Sequence, residues 1–486
     1  MPPRFDEAAL FERLDSLHEN RTDGFPPPVP PDISANPRPV PHTKLGIARA
    51  AVRVSRAGGR GGGTSAPGRM LLGMEPGAIG QLASRLEGGS ILVSGTNGKT
   101  TTANLLASIL RAAGWRTVHN KAGANAQWGI ATALLEPGQI GVFEVDEAWL
   151  TPMAAEIRPR AIVLGNLSRD RLDAYGEVDY LVERFANLVD RAAAPRFVIC
   201  ADDPLIAALG EKQGRAEVTL FGIEDRSQGE PTPRLINDAV HCEDCGAAYR
   251  YDRAFVGHLG HWACECRQRP TPGVAASAIA LHGMSGSDLE VSTPAGALRL
   301  RLPLPGLYNA YNALAAVAAA VELGVPEAAI RRGLESMSPV FGRGETIRVG
   351  GTRVEMMLMK NPVGATELLR TLALERERRL DLWIALNDTH PDGRDTSWIW
   401  DVDFEPFADR IGRVVCAGSR APEMALRLKY AGVPAGAIES VDGIASSFDR
   451  AIDLANGRLI ALPTYSAMIQ IRTLLADRGF AAPFWE

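Results

Sequence analysis

The sequence predicts an α/β protein: a domain built on a parallel sheet, followed by a second α/β domain at its C-terminal end. From residue 90 onward, short apolar runs (ILVSG, VFEVD, AIVLGN, RFVICAD) alternate with helical stretches such as 100–113. Strands that are apolar on both faces are typical of parallel sheets covered by helices. An alternating strand pair at 289–304 and an alanine-rich helix at 309–323 follow. After FGRGE at 341–345, a second α/β series begins (VEMMLM, LWIALND, RVVCAGS, RLIALPT), which predicts the second domain.

Composition excludes several classes of protein. The 486 residues are 46% hydrophobic and 22% charged, which excludes a single small module, general disorder and a collagen-like chain. A net charge of -5 provides no overall positive field for nucleic acid. No apolar run reaches the roughly 18–20 residues of a membrane span, and the acidic N-terminus does not resemble a signal peptide. We therefore expect a cytoplasmic protein that does not bind nucleic acid.

The N-terminal segment differs from the rest of the chain. Eight of the 33 prolines fall within 26–41, so we expect residues 1–43 to form a disordered, proline-rich arm. A basic helical stretch at 45–56 and a flexible glycine-rich link at 58–63 follow. The predicted domains are then a nucleotide-binding unit at 44–343, with an insert at about 238–270, and a C-terminal unit at 344–486.

A glycine-rich loop carries the clearest chemical signal. It joins an apolar strand to a helix and consists of Gly95, Thr96, Asn97, Gly98, Lys99, Thr100 and Thr101. Backbone N–H groups of such a loop close around phosphate oxygens, the lysine reaches the terminal phosphates and the following hydroxyl binds Mg²⁺. An isolated glycine-rich turn is often only a turn. The strand–loop–helix context favours ATP binding.

Four cysteines in the insert have the spacing of a metal site. Cys242 and Cys245 form one close pair, Cys264 and Cys266 form a second, and eighteen residues separate the pairs. Two thiolate pairs at this separation are typical of a zinc ribbon, whose four ligands leave no open position for catalysis. The alternative, four reduced core cysteines, fits poorly with so polar a segment. We expect a structural Zn²⁺.

Other residues of the insert and two further cysteines have plainer interpretations. Acidic neighbours of the four cysteines argue against contact with nucleic-acid phosphates. His258 and His261 are expected at the surface. Cys200 and Cys416 lie in apolar strand contexts, where inert core thiols are the expectation. No cysteine of the chain is therefore left over as a catalytic nucleophile.

The loop departs from the general P-loop pattern, because Val93 stands where that pattern has its first glycine. Its sequence GTNGKTT instead resembles the loop of the Mur ligases and folylpolyglutamate synthetases. These enzymes use ATP to activate a carboxylate as an acyl phosphate and then form an amide. The resemblance implies that Glu144 holds Mg²⁺ together with Thr100. It also implies that Asn309, in LPGLYNAYNALAA, contacts the nucleotide base and that Arg343 is the linker arginine.

Within this superfamily the chain is most similar to the MurT family, the synthetase subunits of lipid II isoglutaminyl synthases. The motifs that carry this similarity are HN and GAN at 119–125, NLSRD at 166–170, ADDP at 201–204, KNPVG at 360–364 and the run from ND at 387 to E at 405. The similarity implies ATP-dependent amidation of the D-glutamate α-carboxylate of lipid II to D-isoglutamine. It further implies a heterodimer with a class I glutaminase of the GatD type that supplies ammonia. Because lipid II is membrane-embedded, we expect peripheral contact with the inner face of the membrane.

The acidic run after Asn387 allows three interpretations: a solvated loop, a metal site or a catalytic carboxylate. Trp398 and Trp400 in the same run indicate partial burial. The MurT resemblance implies the third interpretation, with Asp395 completing a Cys–His–Asp triad whose other two members belong to the glutaminase. We also hypothesise that Lys360, in MKNP, holds the acyl phosphate or the γ-phosphate.

Two other functions remain open. The first is an amino-acid-adding Mur ligase or a folylpolyglutamate synthetase, either of which requires an amino-acid acceptor pocket. The second is a nucleotide-dependent scaffold whose zinc ribbon binds another macromolecule.

Overall fold

The structure, a computed structural model, describes residues 40–57, 64–120, 123–169, 181–183, 185, 195–211, 217–233, 238–337 and 342–482. Most of the predicted N-terminal arm and all of the predicted link at 58–63 lie outside these residues. The basic helical stretch is present as helix α1, His42–Ala57, and Val40 just before it is already buried. No helix among the described residues has the length and apolar character needed to cross a membrane.

The first domain follows the predicted alternation of strands and helices. Its elements in chain order are α2 Ala66–Met74, α3 Ala78–Ala83, β1 Ser90–Ser94, α4 Lys99–Ala112, β2 Thr117–His119, α5 Gln127–Ala133, β3 Ile140–Glu144, α6 Glu147–Ile157, β4 Ala161–Leu164, β5 Arg196–Cys200, α7 Pro204–Glu211, β6 Val218–Ile223, β7 Arg250–Val256, β8 Leu259–Ala263, β9 Val274–Leu281, β10 Ser287–Thr293, β11 Gly296–Leu302, α8 Leu307–Glu322 and α9 Glu327–Glu335.

A nine-stranded sheet forms the centre of this domain, with the order β11-β10-β9-β6-β5-β4-β1-β3-β2. Neighbouring strands pair in parallel along the part of this order that runs β9-β6-β5-β4-β1-β3-β2. At the other edge, β10 pairs antiparallel with both β9 and β11. Alternate residues of β1 enter different cores: Leu92 packs on one face, and Ile91 and Val93 on the other. Both faces are therefore buried, as the doubly apolar strands predicted.

The insert forms a separate two-stranded hairpin from β7 and β8. The hairpin does not join the large sheet, but its apolar side chains pack on it. Trp262 lies in the core on one face of the sheet, while Phe255, Val256 and Leu259 lie in the core on the other. The insert is thus an integral part of the first domain and contributes to two of its cores.

The second domain contains the second predicted series. Its elements are β12 Arg343–Val349, β13 Thr352–Met357, α10 Pro362–Ala373, β14 Leu380–Ala385, two 3-10 turns at Ser397–Asp401 and Glu405–Arg410, β15 Ile411–Ala417, α11 Ala421–Tyr430, β16 Ile438–Ser440, α12 Ile444–Leu454, β17 Arg458–Pro463 and α13 Tyr465–Asp477.

The sheet of this domain has six strands in the order β12-β13-β17-β14-β15-β16, and only β12 and β13 pair antiparallel. Leu382 and Ile384 of β14 enter one core, and Trp383 enters the other. The carboxyl ends of both parallel sheets carry loops that meet at a shared cleft. In open α/β sheets this is the edge at which ligands bind, so the fold itself indicates where the site lies.

Candidate functional site

The glycine-rich loop follows β1 and has the conformation that its sequence predicts. Gly95 and Gly98 have φ values of 132° and 86°, which favour glycine. A Cβ on Gly98 would lie 1.9 Å from Asn312 Oδ1. Asn166 fixes the loop from the end of β4: its Oδ1 accepts from the Asn97 N–H at 3.0 Å, and its Nδ2 donates to the Asn97 carbonyl at 2.9 Å. Two hydrogen bonds from one side chain thus hold the loop against the end of β4.

Lys99 begins α4 and is only 9% exposed. Its Nζ lies 2.8 Å from Glu147 Oε2 and donates to the carbonyls of Gly95 at 2.6 Å and Thr96 at 3.2 Å. Burial raises the pKa of Glu147, while the ammonium of Lys99 acts in the opposite direction. The result is a cation held at the mouth of the loop, where phosphate oxygens bind in such folds.

Thr100 and Glu144 come together as the predicted cation ligands. The Thr100 hydroxyl donates to Glu144 Oε2 at 2.7 Å, and Asn125 Nδ2 donates to Glu144 Oε1 at 3.3 Å. Asn120 fixes the Glu144 backbone by bonding both its N–H, at 2.9 Å, and its carbonyl, at 2.8 Å. A hydroxyl and a carboxylate at one point are oxygen donors of the kind that Mg²⁺ prefers, so the residues fit this ion.

The second domain contributes to the same loop through the start of α10. Asn361 caps this helix by accepting from the Gly364 N–H at 2.9 Å, and its Nδ2 donates to Asn97 Oδ1 at 2.8 Å. Lys360 Nζ donates to the Thr96 carbonyl at 3.3 Å. The structure therefore places Lys360 beside the phosphate loop.

Between the two domains lies a polar cavity of about 230 Å³. Its lining includes Thr96, Gly98, Lys99, Thr100, Asn125, Glu144, Asp146, Glu147, Lys360, Asp392, Thr464 and Tyr465. Two lysines and several carboxylates thus face one volume. This arrangement suits a triphosphate with a bound divalent cation, because two ammonium groups in one cavity would neutralise phosphate charge.

A more apolar cavity of about 120 Å³ adjoins the first one. Asn309 lines it and is buried. Its Nδ2 donates to the Pro305 carbonyl at 2.8 Å, and its Oδ1 accepts from Asn312 at 2.9 Å. Thr101 also lines this cavity. A nucleotide base fits such a lining of apolar and amide groups. Arg343 begins β12, but its side chain lies outside the described part of the structure.

Asp395 lies away from these cavities, exposed at the start of the turn Ser397–Asp401, where its Oδ1 accepts from the Ser397 N–H at 2.8 Å. Trp398 is partly buried, whereas Trp400 is 48% exposed. Asp392, three residues before Asp395, lines the polar cavity and accepts from the Ser466 N–H at 2.8 Å. The acidic run therefore has one residue at the cleft and another at the outer surface.

The four insert cysteines converge as their spacing predicts. All four Sγ atoms lie within 4.8 Å of one another, and Cys266 Sγ is 3.6 Å from both Cys242 Sγ and Cys264 Sγ. A tetrahedron with zinc–sulfur bonds of about 2.3 Å has edges of roughly 3.8 Å, so the cluster fits Zn²⁺. Cys200 and Cys416 are fully buried, and burial raises the pKa of Cys416 to about 12. The prediction of inert core thiols is confirmed for this pair.

The surface prediction for the insert histidines is wrong for His258, whereas His261 is partly exposed. His258 is 1% exposed, and its Nε2 lies 3.3 Å from Asp203 Oδ2. Burial lowers the pKa of His258, but the Asp203 carboxylate outweighs that effect and the net shift is upward. His261 Nε2 bonds the Ile223 carbonyl at 2.8 Å. The reason is that the hairpin packs against the carboxyl ends of β5 and β6, where the Gly260 N–H donates to the Asp202 carbonyl at 2.8 Å, and no local pattern reveals such contacts.

Sequence reasoning missed several residues around the phosphate loop, among them Glu147 and Asn312. Glu147 follows Asp146 at the start of α6, and this pair of acids just after a strand was a usable signal. Asn312 lies one helical turn after Asn309, and its position against Gly98 depends on a contact across more than 200 residues. Residue spacing in the sequence does not predict a contact between positions so far apart.

Comparisons with known proteins agree with this geometry. Residues 93–243 match the Mur ligase middle domain, and residues 358–468 match the MurT ligase C-terminal domain. The lipid II isoglutaminyl synthase (glutamine-hydrolyzing) subunit MurT of Staphylococcus aureus (strain N315) is 30% identical over 434 residues, covering 88% of this chain and 95% of that protein. The subunit MurT of Streptococcus pneumoniae (strain ATCC BAA-255 / R6) is 31% identical over 428 residues, covering 86% and 93%.

Solved structures show the same fold. A pseudomurein peptide ligase type C from Methanothermus fervidus superposes with a TM-score of 0.64 at 21% identity, covering 82% of this chain and 81% of that one. MurF from Acinetobacter baumannii superposes with a TM-score of 0.61 at 20% identity, covering 84% and 80%. The fold, the phosphate loop and the extent of the sequence similarity together establish that the chain belongs to the MurT family of the Mur ligase superfamily.

Proposed function

We propose that this chain amidates the α-carboxylate of the D-glutamate in the stem peptide of lipid II, using ATP and ammonia, and thereby forms D-isoglutamine. The observation that carries the proposal is the polar cavity in which Lys99, Lys360, Thr100 and Glu144 face one another. Its support is membership of the MurT family, whose relatives are named lipid II isoglutaminyl synthase subunits.

The reaction has two steps. A carboxylate oxygen attacks the γ-phosphorus of ATP, the bond to the β–γ bridging oxygen breaks, and ADP leaves with an acyl phosphate formed. Ammonia then attacks the carbonyl carbon, phosphate leaves and a proton is lost from nitrogen, which gives the amide. Both steps concentrate negative charge at the loop, where Lys99 and the loop N–H groups stabilise it.

The remaining residues have roles that follow from their positions. The Thr100 hydroxyl and the Glu144 carboxylate would hold Mg²⁺, which neutralises phosphate charge during the transfer. Lys360 approaches from the second domain and suits the transferring phosphoryl group, because a compact ammonium makes a point contact. Asn309 lines the apolar cavity that we assign to the base. The role of Arg343 as the linker arginine rests on the family resemblance alone. Zn²⁺ bound by the four insert cysteines would stabilise the fold.

Ammonia comes from a glutaminase subunit that forms a heterodimer with this chain. All six cysteines are described, and each belongs either to the cluster of four or to the buried pair, so none is placed as a glutaminase nucleophile. Asp395 is exposed, as required if its carboxylate is to orient a histidine of the partner. Peripheral membrane contact at the cytoplasmic face follows from the lipid-linked substrate.

Trapping the activated carboxylate tests the proposal. Incubation of the chain with lipid II, ATP and hydroxylamine should produce a hydroxamate on the stem peptide together with ADP. Replacing hydroxylamine with free amino acids should give no product, which separates this activity from an amino-acid-adding ligase. ATP turnover without any modified stem peptide would contradict the proposal.

A further inference from the structure

The cysteine insert connects the metal cluster with the nucleotide cleft. Cys264 directly follows β8, so the cluster lies at one end of the hairpin. At the other end the turn between β7 and β8 faces the cleft: Val256 lines the apolar cavity beside Asn309 and Val363. Leu259 and Val256 also line an adjoining cavity of about 40 Å³. The hairpin turn is therefore a wall of the cavity that receives the base.

Buried hydrogen bonds fix the hairpin relative to the rest of this cavity. Arg269 Nε donates to Asp202 Oδ1 at 2.6 Å, and Trp262 Nε1 donates to the Ala201 carbonyl at 3.0 Å. Asp202 is fully buried, and its Oδ2 accepts from the Tyr311 hydroxyl at 2.6 Å. Tyr311 belongs to α8, the helix that carries Asn309. The hairpin and the base-contacting helix are thus held by one carboxylate.

The second domain reaches the hairpin through one arginine of α10. Arg370 Nη1 donates to the Phe255 carbonyl at 2.8 Å, directly before Val256. The same guanidinium lies 2.9 Å from Glu367 Oε1 and 3.4 Å from Glu230 Oε1. Glu367 itself lines the apolar cavity. A cavity of only about 20 Å³ lies where the insert meets α10, with Phe255, Gly257 and Arg370 in its lining.

From these contacts we infer that the insert is part of the nucleotide-binding machinery and that Arg370 is a positioning residue for it. By holding α10 against the hairpin, Arg370 closes the base cavity from the side of the second domain. Nucleotide affinity therefore depends on this arginine, although it does not reach the phosphate cavity. The inference rests on the ATP binding put forward under Proposed function.

The test measures binding of a non-hydrolysable ATP analogue to the full chain by calorimetry. Arg370→Ala should raise the Kd about tenfold, as expected for the loss of charge-assisted hydrogen bonds, while kcat at saturating ATP stays within about twofold. Arg370→Lys, which keeps a charged donor, should recover part of the affinity. Arg450→Ala is the matched control, because Arg450 makes an exposed pair with Glu439 in the same domain, and its Kd should equal that of the wild type.

A second variant covers the case in which Arg370→Ala fails to fold. Glu230→Gln keeps the size of the side chain and should raise the Kd about two- to threefold, and an unchanged Kd in this variant would then overturn the inference. Where Arg370→Ala folds, the effect of Glu230→Gln should vanish in that background. Hydrogen exchange should show nucleotide-dependent protection of the hairpin turn in the wild type and its loss in Arg370→Ala. Unchanged Kd and unchanged protection in a folded Arg370→Ala would overturn the inference while leaving the proposed function intact. A wild-type chain that binds no nucleotide would overturn both.

Discussion

The phosphate cavity and the surface around Asp395 hold their carboxylates in opposite ways. Glu144 and Glu147 are buried and bond Thr100 and Lys99 within the chain. Asp395 is exposed, and the described contact is with a backbone N–H two residues away. Burial of paired charges creates a preorganised site that is ready for one substrate. We propose that Asp395 gains its catalytic role when the partner subunit covers it.

This difference indicates how phosphoryl transfer and glutamine hydrolysis are divided between this chain and its partner in the proposed function. Phosphoryl transfer requires several positive groups around one volume, and this chain provides them from both domains. Glutamine hydrolysis requires a nucleophile, a base and an orienting acid, and we propose that this chain provides only the acid, Asp395. The two activities should therefore respond differently to variants in the two regions.

The largest expected effect is on the phosphate cavity. Lys99→Ala removes the cation at the loop mouth and leaves Glu147 buried without its partner. Synthetase turnover should fall by roughly 10³-fold or more with either glutamine or ammonium as the nitrogen donor. Phosphate release in steady state measures this loss. The matched control is Lys429→Ala, at an exposed position of α11, which should retain full activity. Equal activity of the two variants would remove Lys99 from the mechanism.

Asp395→Ala should separate the two nitrogen donors. In the complex with the glutaminase, glutamine-dependent amidation should fall by roughly 10³-fold, because the partner histidine loses its orienting acid. Ammonium-dependent amidation should stay within about twofold, since Asp395 does not line the phosphate cavity. Asp401→Ala changes an exposed aspartate of the same turn and should alter neither rate. A parallel loss of both rates would place Asp395 in the ligase site instead.

Changing one cysteine of the cluster should have an intermediate effect on stability. Cys264→Ser should reduce bound Zn²⁺ from about one per chain to none and lower the free energy of unfolding by roughly 3 kcal/mol. Metal analysis and thermal unfolding measure the two changes. Cys416→Ala, a change at a buried core thiol, should cost about 1 kcal/mol and leave the metal content unchanged. Full metal binding by Cys264→Ser would contradict a four-thiolate site.

The smallest expected effect concerns His258 and pH. The pKa of His258 is raised in the folded protein, so its pair with Asp203 stabilises the fold fully below the unfolded value of about 6.5. That contribution is lost as the pH rises through the folded-state pKa. Unfolding free energies of wild type and His258→Asn should therefore differ most below pH 6.5 and converge in alkaline solution. A difference that grows with pH would show that Asp203 does not govern this histidine.

Much of the fold and of the site could be predicted because their signals are local. Strand alternation, the glycine-rich loop and the paired cysteines each occupy a short stretch of sequence. The family resemblance implied roles for Glu144, Asn309 and Asp395, which their spacing in the sequence does not indicate by itself. Asn312 and Arg370 could not be predicted in the same way, because their partners are distant in sequence, and Glu147 left only the signal of two adjacent acids after β3. The burial of His258 depends on how the insert packs on a sheet that it does not join.

The most direct test of the central claim compares nitrogen donors for this chain alone and in complex with its glutaminase. With ATP and lipid II, the chain alone should amidate lipid II with ammonium, at one ADP per amide, and should not use glutamine. The complex should use both donors. Amidation from glutamine by the chain alone, or attachment of a free amino acid to the stem peptide in place of ammonia, would contradict the account.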